Sequence, residues 1–140
     1  MMAGARKFKL IEHTADTGIV AYGDSLPGAF ANAAAGMFSI ITDLRYIREA
    51  ESRTISVNEP DAESLLFEWL NSLIYLFDVE GLLFRRCDVR QFSDTKLVAV
   101  CHGEKYDPSR HHLKIGIKSA TYHMLKVDKG NNQVQVIFDI

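Results

Sequence analysis

Two stretches far apart in the chain carry the side chains best suited to chemistry. The first, EHTADTG, packs Glu12, His13 and Asp16 into five positions beside turn-forming residues. The second is the ending QVQVIFDI, where Asp139 stands one peptide unit before the α-carboxylate of Ile140. Two carboxylates this close repel unless a proton or a cation lies between them. An all-oxygen set of this kind suits Mg, Ca or Mn, with Asp16 as a third ligand. A plainer reading is also open, in which Asp139 is a solvated residue near a chain end and Asp16 a turn former, and pattern alone favours it. Glu12 and His13 face opposite sides of a strand, so both cannot join one site without a bulge. His13 by itself reads as a hydrogen-bonded structural histidine.

A third region runs from Lys105 to Lys126 and is the one basic stretch of the chain. It holds Lys105, Arg110, Lys114, Lys118 and Lys126 against the single acid Asp107, with His111, His112 and His123 among them. Alternation along a strand would set Lys114 and Lys118 on one face, opposite Leu113, Ile115 and Ile117. Such a face is either a positive surface for phosphates or an acidic partner, or simply solvated. Nucleophile and nucleotide motifs are absent: there is no GxSxG, P-loop, GxGxxG or HExxH.

The elements that must position these residues follow from periodicity. KFKLIEH (7–13) and GIVAYG (18–23) predict short strands around the turn TADTG. Ser25 can cap a helix with Pro27 in its first turn, and Leu26, Phe30, Ala33, Ala34, Met37, Phe38 and Ile41 keep the spacing of a buried face over residues 26–42. Asp43, which closes that segment, reads as a helix-end structural residue. SRTISVN (52–58) alternates as a strand, and Pro60 and Asp61 open a second helix whose apolar stripe includes Leu65, Leu66, Trp69, Leu70 and Leu73, stopped by Gly81. A hairpin is expected from LLFRRCDVRQF and TKLVAVCHGE, a loop at YDPSRHH (106–112), and a last antiparallel pair from LKIGIKSATYHMLKV and QVQVIFDI. The expected class is α+β, a two-layer domain of two amphipathic helices on a mostly antiparallel sheet of six to eight strands.

A chain of 140 residues, 47% hydrophobic and 24% charged, predicts one domain over residues 1–140 that needs no staple. The net charge of -2 gives no general positive field for nucleic acid. Cys87 and Cys101 have no metal-site spacing and read as buried, reduced residues. No secretory signal pattern or membrane-spanning apolar run is present, so a cytoplasmic protein is expected.

Taken together, EHTADTGIVAYGDSLPGAFANAAAGMFSIITD, LLFEWLNSLIYLFDVEGLLF, EKYDPSRHHLKIGIKSATYHMLKV and the closing VIFDI resemble the archease family, small protein cofactors of the GTP-dependent tRNA-splicing RNA ligase. The resemblance implies a divalent cation (Ca, Mg or Mn) held by Asp16, Asp139 and the terminal carboxylate of Ile140, with Lys118 taking part in ligase activation. The corresponding stretch here is KSATYH, with Ser119 in a position where alanine is usual and Gly116 where an acidic residue is common. It also implies an accessory rather than a catalyst: the partner ligase would be helped to form its guanylylated histidine, and RNA would be met only through the ligase. His13, His111 and His123 all fall inside the motifs. The rival readings are a free-standing metal-dependent phosphohydrolase on the same carboxylates, an RNA-binding or general chaperone module, and a purely structural domain.

Overall fold

The computed structural model describes residues 7–12 and 16–140, so His13 lies outside the described residues. In chain order the elements are β1 (Phe8–Glu12), β2 (Thr17–Tyr22), α1 (Leu26–Ile41), a 3-10 turn (Leu44–Tyr46), β3 (Glu51–Asn58), α2 (Ala62–Glu80), β4 (Leu82–Phe92), β5 (Lys96–Lys105), β6 (Ser119–Ala120), β7 (Lys126–Asp128), a second 3-10 turn (Lys129–Asn131) and β8 (Gln133–Asp139). Both helices begin where their capping residues direct. The Ser25 hydroxyl accepts from the Gly28 N–H at 3.2 Å, and the Asp61 carboxylate accepts from the Ser64 N–H at 2.7 Å. Gly81 ends α2 in the left-handed conformation at φ 71, a conformation that a β-carbon disfavours.

The α+β class stands, and every strand pairing is antiparallel. The expectation of one sheet does not: the strands divide into a five-stranded sheet in the order β1-β2-β8-β6, with β7 also on β8, and a three-stranded sheet in the order β3-β5-β4. Each helix contacts strands of both sheets, so one core serves all. Phe30, Ala33, Ala34, Met37 and Phe38 of α1 and Leu65, Leu66, Trp69, Leu70 and Leu73 of α2 are fully buried. The Trp69 indole N–H donates to the Phe30 carbonyl at 2.9 Å, which joins the two helices inside that core. Burying each large apolar side chain contributes about 1.5–3 kcal/mol.

Three sequence expectations fail near the C-terminal end. The segment 113–127 is not a continuous strand: only β6 and β7 pair, both along the same edge of β8, and residues 112–118 take no regular structure. Leu113 and Ile115 are therefore exposed rather than buried opposite Lys114 and Lys118, and only Ile117 is covered. Burial along β8 also departs from the alternation of QVQVIFDI, which puts Val134, Val136, Phe138 and a packed Ile140 on the core face and Gln133, Gln135, Ile137 and Asp139 on the other. Ile137 is buried along with Val134, Val136 and Phe138, whereas Ile140 is 38% exposed. Gly18 explains the first half of that change. A β-carbon there would meet the Val136 carbonyl oxygen at 2.5 Å and Ile137 Cδ1 at 2.7 Å, so the absent side chain leaves the space that Ile137 fills. The Ile140 side chain is accordingly not the packed anchor for the terminal carboxylate that alternation suggested.

Candidate functional site

β8 lies between β2 on one side and β6 on the other, and its C-terminal end is where the candidate residues meet. The ladder of β2 with β8 ends at the pair Thr17–Phe138, and continuing its register by one residue would set Asp16 opposite Asp139. Residues directly opposite in an antiparallel pair lie about 4.5–5.5 Å apart at Cα and project to one face. On the other edge Ser119 pairs with Asp139, and the Lys118 N–H donates to the Asp139 carbonyl at 2.8 Å. Three segments, at residues 16, 118 and 139, thus end side by side. Asp16 is half-buried, whereas Asp139 and Lys118 are exposed.

Lys118 stands one residue before Ser119, where β6 begins, and is held beside Asp139 by that backbone hydrogen bond. Alternation assigns Asp139 and its partner Ser119 to one face, and Asp16 to the same face if the register of β2 continues by one residue. Among the described residues no carboxylate lies within ion-pair distance of Lys118. No group of three or more His, Cys, Asp and Glu side chains able to hold a metal occurs among the described residues. A cation here would rest on two aspartates and the α-carboxylate of Ile140, an all-oxygen set that fits a hard divalent ion. So small a protein share leaves coordination positions for water or for phosphate oxygens, the usual arrangement for magnesium at phosphate chemistry.

Two positioning groups are visible only in the structure. The Asn71 side-chain oxygen, from the middle of α2, accepts from the Ala120 N–H at 2.8 Å and fixes the two-residue β6 to the helix. Thr121 donates both its N–H and its hydroxyl to the Ile137 carbonyl, at 3.0 and 2.8 Å. The sequence held one clue, a lone amide in the apolar run EWLNSLIYLF.

His111, one of the three motif histidines, has a structural role. Its ring is fully buried, its Nδ1 accepts from the Asp107 N–H at 2.8 Å, and its Nε2 then carries the proton shared between Glu104 Oε2 at 2.9 Å and the Tyr46 carbonyl at 3.0 Å. Glu104 is itself buried and receives two hydrogen bonds from Arg110 and one from the Arg48 N–H. Arg110 first, with the Arg48 amide and His111, holds the Glu104 carboxyl down to about 2 against the opposing effect of burial. Asp43 N-caps the turn Leu44–Tyr46 and pairs with Arg45, the structural role its position suggested. Cys87 and Cys101 are free and buried, as expected. No helix among the described residues is long and apolar enough to cross a membrane.

Comparison with known proteins bears on all of these elements at once. Residues 8–140 match the model of the archease protein family. The protein archease of Methanosarcina mazei is 36% identical over 146 residues, covering 100% of both chains. That of Pyrococcus abyssi is 38% identical over 141 residues, covering 96% of this chain and 99% of its own. The solution structure of Methanobacterium thermoautotrophicum protein 1598 superposes with a TM-score of 0.79 at 31% identity, covering 96% of this chain and 99% of that one. The crystal structure of an archease, possible chaperone, from Thermotoga maritima gives 0.59 at 20% identity over 99% of this chain and 100% of that one, a likeness of fold alone. With a family model that takes in every described element and relatives aligned over nearly their whole length, this chain belongs to the archease family.

Proposed function

We propose that this chain is a metal-bearing protein cofactor of the GTP-dependent tRNA-splicing RNA ligase, acting in the cytoplasm to promote that enzyme's guanylylation and multiple turnover. The observation that carries the reading is the convergence at the end of β8, where the register of β2, continued by one residue, would set Asp16 opposite Asp139 and a hydrogen bond ties Lys118 to the Asp139 backbone. Asp16, Asp139 and the α-carboxylate of Ile140 would hold calcium, magnesium or manganese. A cation so bound supplies charge neutralisation and orientation for phosphate oxygens. The chain's own residues do the rest. Lys118 adds a mobile positive charge at the rim, able to meet a phosphate as a point charge. Asn71 and Gly18 keep the two flanking strands against β8, so that the ligands arrive preorganised.

Presented at an exposed edge, this constellation suits insertion into another protein's nucleotide site, and RNA is met through that partner. The test is multiple-turnover RNA ligation by the cognate ligase with and without this chain. The reading predicts product well beyond one ligation per ligase only when the chain is added, and no phosphate-ester hydrolysis by the chain alone. Hydrolysis without the ligase would revive the phosphohydrolase reading, and an unchanged ligation yield would end the cofactor reading.

A further inference from the structure

A second constellation, which the ligase reading does not use, surrounds a cavity of about 370 Å³ lined by Arg45, Tyr46, Arg48, Ser109 and Arg110. That volume falls in the range of small-molecule sites. Its walls come from the 3-10 turn Leu44–Tyr46 with the residues after it and from the loop 106–111. The buried Glu104 ties these two segments together, since Arg110, His111 and the Arg48 amide all bond to it. Arg110 is thereby spent as scaffold, its guanidinium bonded to Glu104 and the Tyr46 carbonyl and paired with Asp107.

The other two arginines are different. Arg48 is exposed, and among the described residues no carboxylate pairs with its guanidinium. Arg45 pairs with Asp43 at a highly exposed position, where an ion pair exchanges readily for a better anion. Arg45 also lies 5.5 Å from the ring centroid of Tyr46, a residue that is 56% exposed. Guanidinium groups offer planar donor forks that match phosphate, and an exposed aromatic ring is a platform for a base. We infer that this cavity binds a phosphorylated nucleoside, with the phosphate on Arg48 and Arg45 and the base against Tyr46.

The segment 112–118 connects this site to the candidate metal site. The Lys114 N–H donates to the Ile41 carbonyl at the end of α1, the Thr42 hydroxyl donates to the His112 carbonyl, and the Lys118 N–H donates to the Asp139 carbonyl. Chain length alone keeps Arg110 within about 29 Å of Lys118. Exposed Lys114 lies between them in sequence and offers a further cation to an RNA strand seated on Tyr46.

The experiment is titration calorimetry of the full chain, without ligase, using adenosine 5′-monophosphate, adenosine, inorganic phosphate and a hexa-adenylate oligoribonucleotide. Expected is binding of the monophosphate or the oligonucleotide that weakens at least tenfold in Arg48→Glu and is kept in the matched charge reversal Lys96→Glu. Tyr46→Ala should weaken both nucleotide ligands and leave inorganic phosphate unchanged. Equal affinity for monophosphate and oligonucleotide identifies a free nucleotide as the ligand, whereas much tighter, salt-sensitive oligonucleotide binding identifies RNA. The inference is overturned if no probe binds below about 1 mM, a weak limit on the affinity scale, or if a folded Arg48→Glu variant binds as wild type does. Neither result touches the ligase reading, because no ligase is present.

Discussion

Replacing Glu104 by Gln is the sharpest test of how the loops at one end of the domain are held. The carboxylate is buried, and its folded-state pKa is lowered from 4.5 to about 2, first by Arg110. At 1.36 kcal/mol per unit, a depression of that size corresponds to about 3 kcal/mol of stability. The sign follows from the direction. A lowered carboxyl pKa gives stability that is fully present above the unfolded value near 4.5 and lost as pH falls toward the folded value near 2. Gln keeps the shape and accepts some hydrogen bonds but leaves Arg110 without its buried counter-charge, a loss of the kind that costs about 3–5 kcal/mol when one partner of a buried pair is removed. Urea unfolding of wild type and Glu104→Gln across pH 7 to 2.5 measures both effects. The other lowered carboxyls, such as Asp43 and Asp88, are common to the two proteins and cancel in the difference. The gap between the proteins should be about 3 kcal/mol at neutral pH and close progressively below the Glu104 unfolded value. A gap that is constant across the whole range would refute the reasoning, because the ionised carboxylate would then contribute nothing particular.

Two further substitutions probe the placement of the candidate metal site. Gly18→Ala drives a β-carbon toward the Val136 carbonyl and should destabilise by about 1–3 kcal/mol, the usual range for overpacking; unchanged chemical denaturation would contradict the close approach of β2 to β8. Asn71→Ala removes the acceptor of the Ala120 N–H and should cost about 1 kcal/mol. Amide exchange at Ala120 should accelerate while β4 and β5 keep their protection, and retained protection at Ala120 would show that β6 stays in place without α2.

The helices were legible because their information is local: Ser25 and Asp61 cap where they should, Gly81 stops α2, and the apolar spacings match the buried faces. The hairpin β4–β5 was legible for the same reason, with Ser93 and Asp94 at its turn. What escaped was long-range. Nothing in 113–127 states that β6 and β7 must share one edge of β8, which leaves residues 112–118 unpaired as a strand. Ile137 looked outward by alternation until Gly18 on the neighbouring strand made room for it. The buried Glu104 was hidden because an acid in HGEK looks like any solvated charge until Arg110 and His111 close over it. The site shows the same division. Asp16 and Asp139 could be named from their residue types, but their meeting at the ends of β2 and β8, and the backbone hydrogen bond that ties Lys118 to Asp139, are properties of strand pairing.

On the proposed reading, the end of β8 is a cation site by which this chain activates the ligase. The most direct measurement is multiple-turnover ligation and ligase guanylylation with wild type, Asp16→Ala, Asp139→Ala and a version carrying one additional residue after Ile140, each confirmed as folded by circular dichroism. The account predicts that wild type stimulates in the presence of a divalent cation and that all three variants lose at least tenfold of that stimulation, the extended one because its α-carboxylate is replaced by a neutral peptide carbonyl. Full stimulation by the folded variants would contradict the account and leave Asp16 and Asp139 as residues without a role in activation, at the ends of two inner strands.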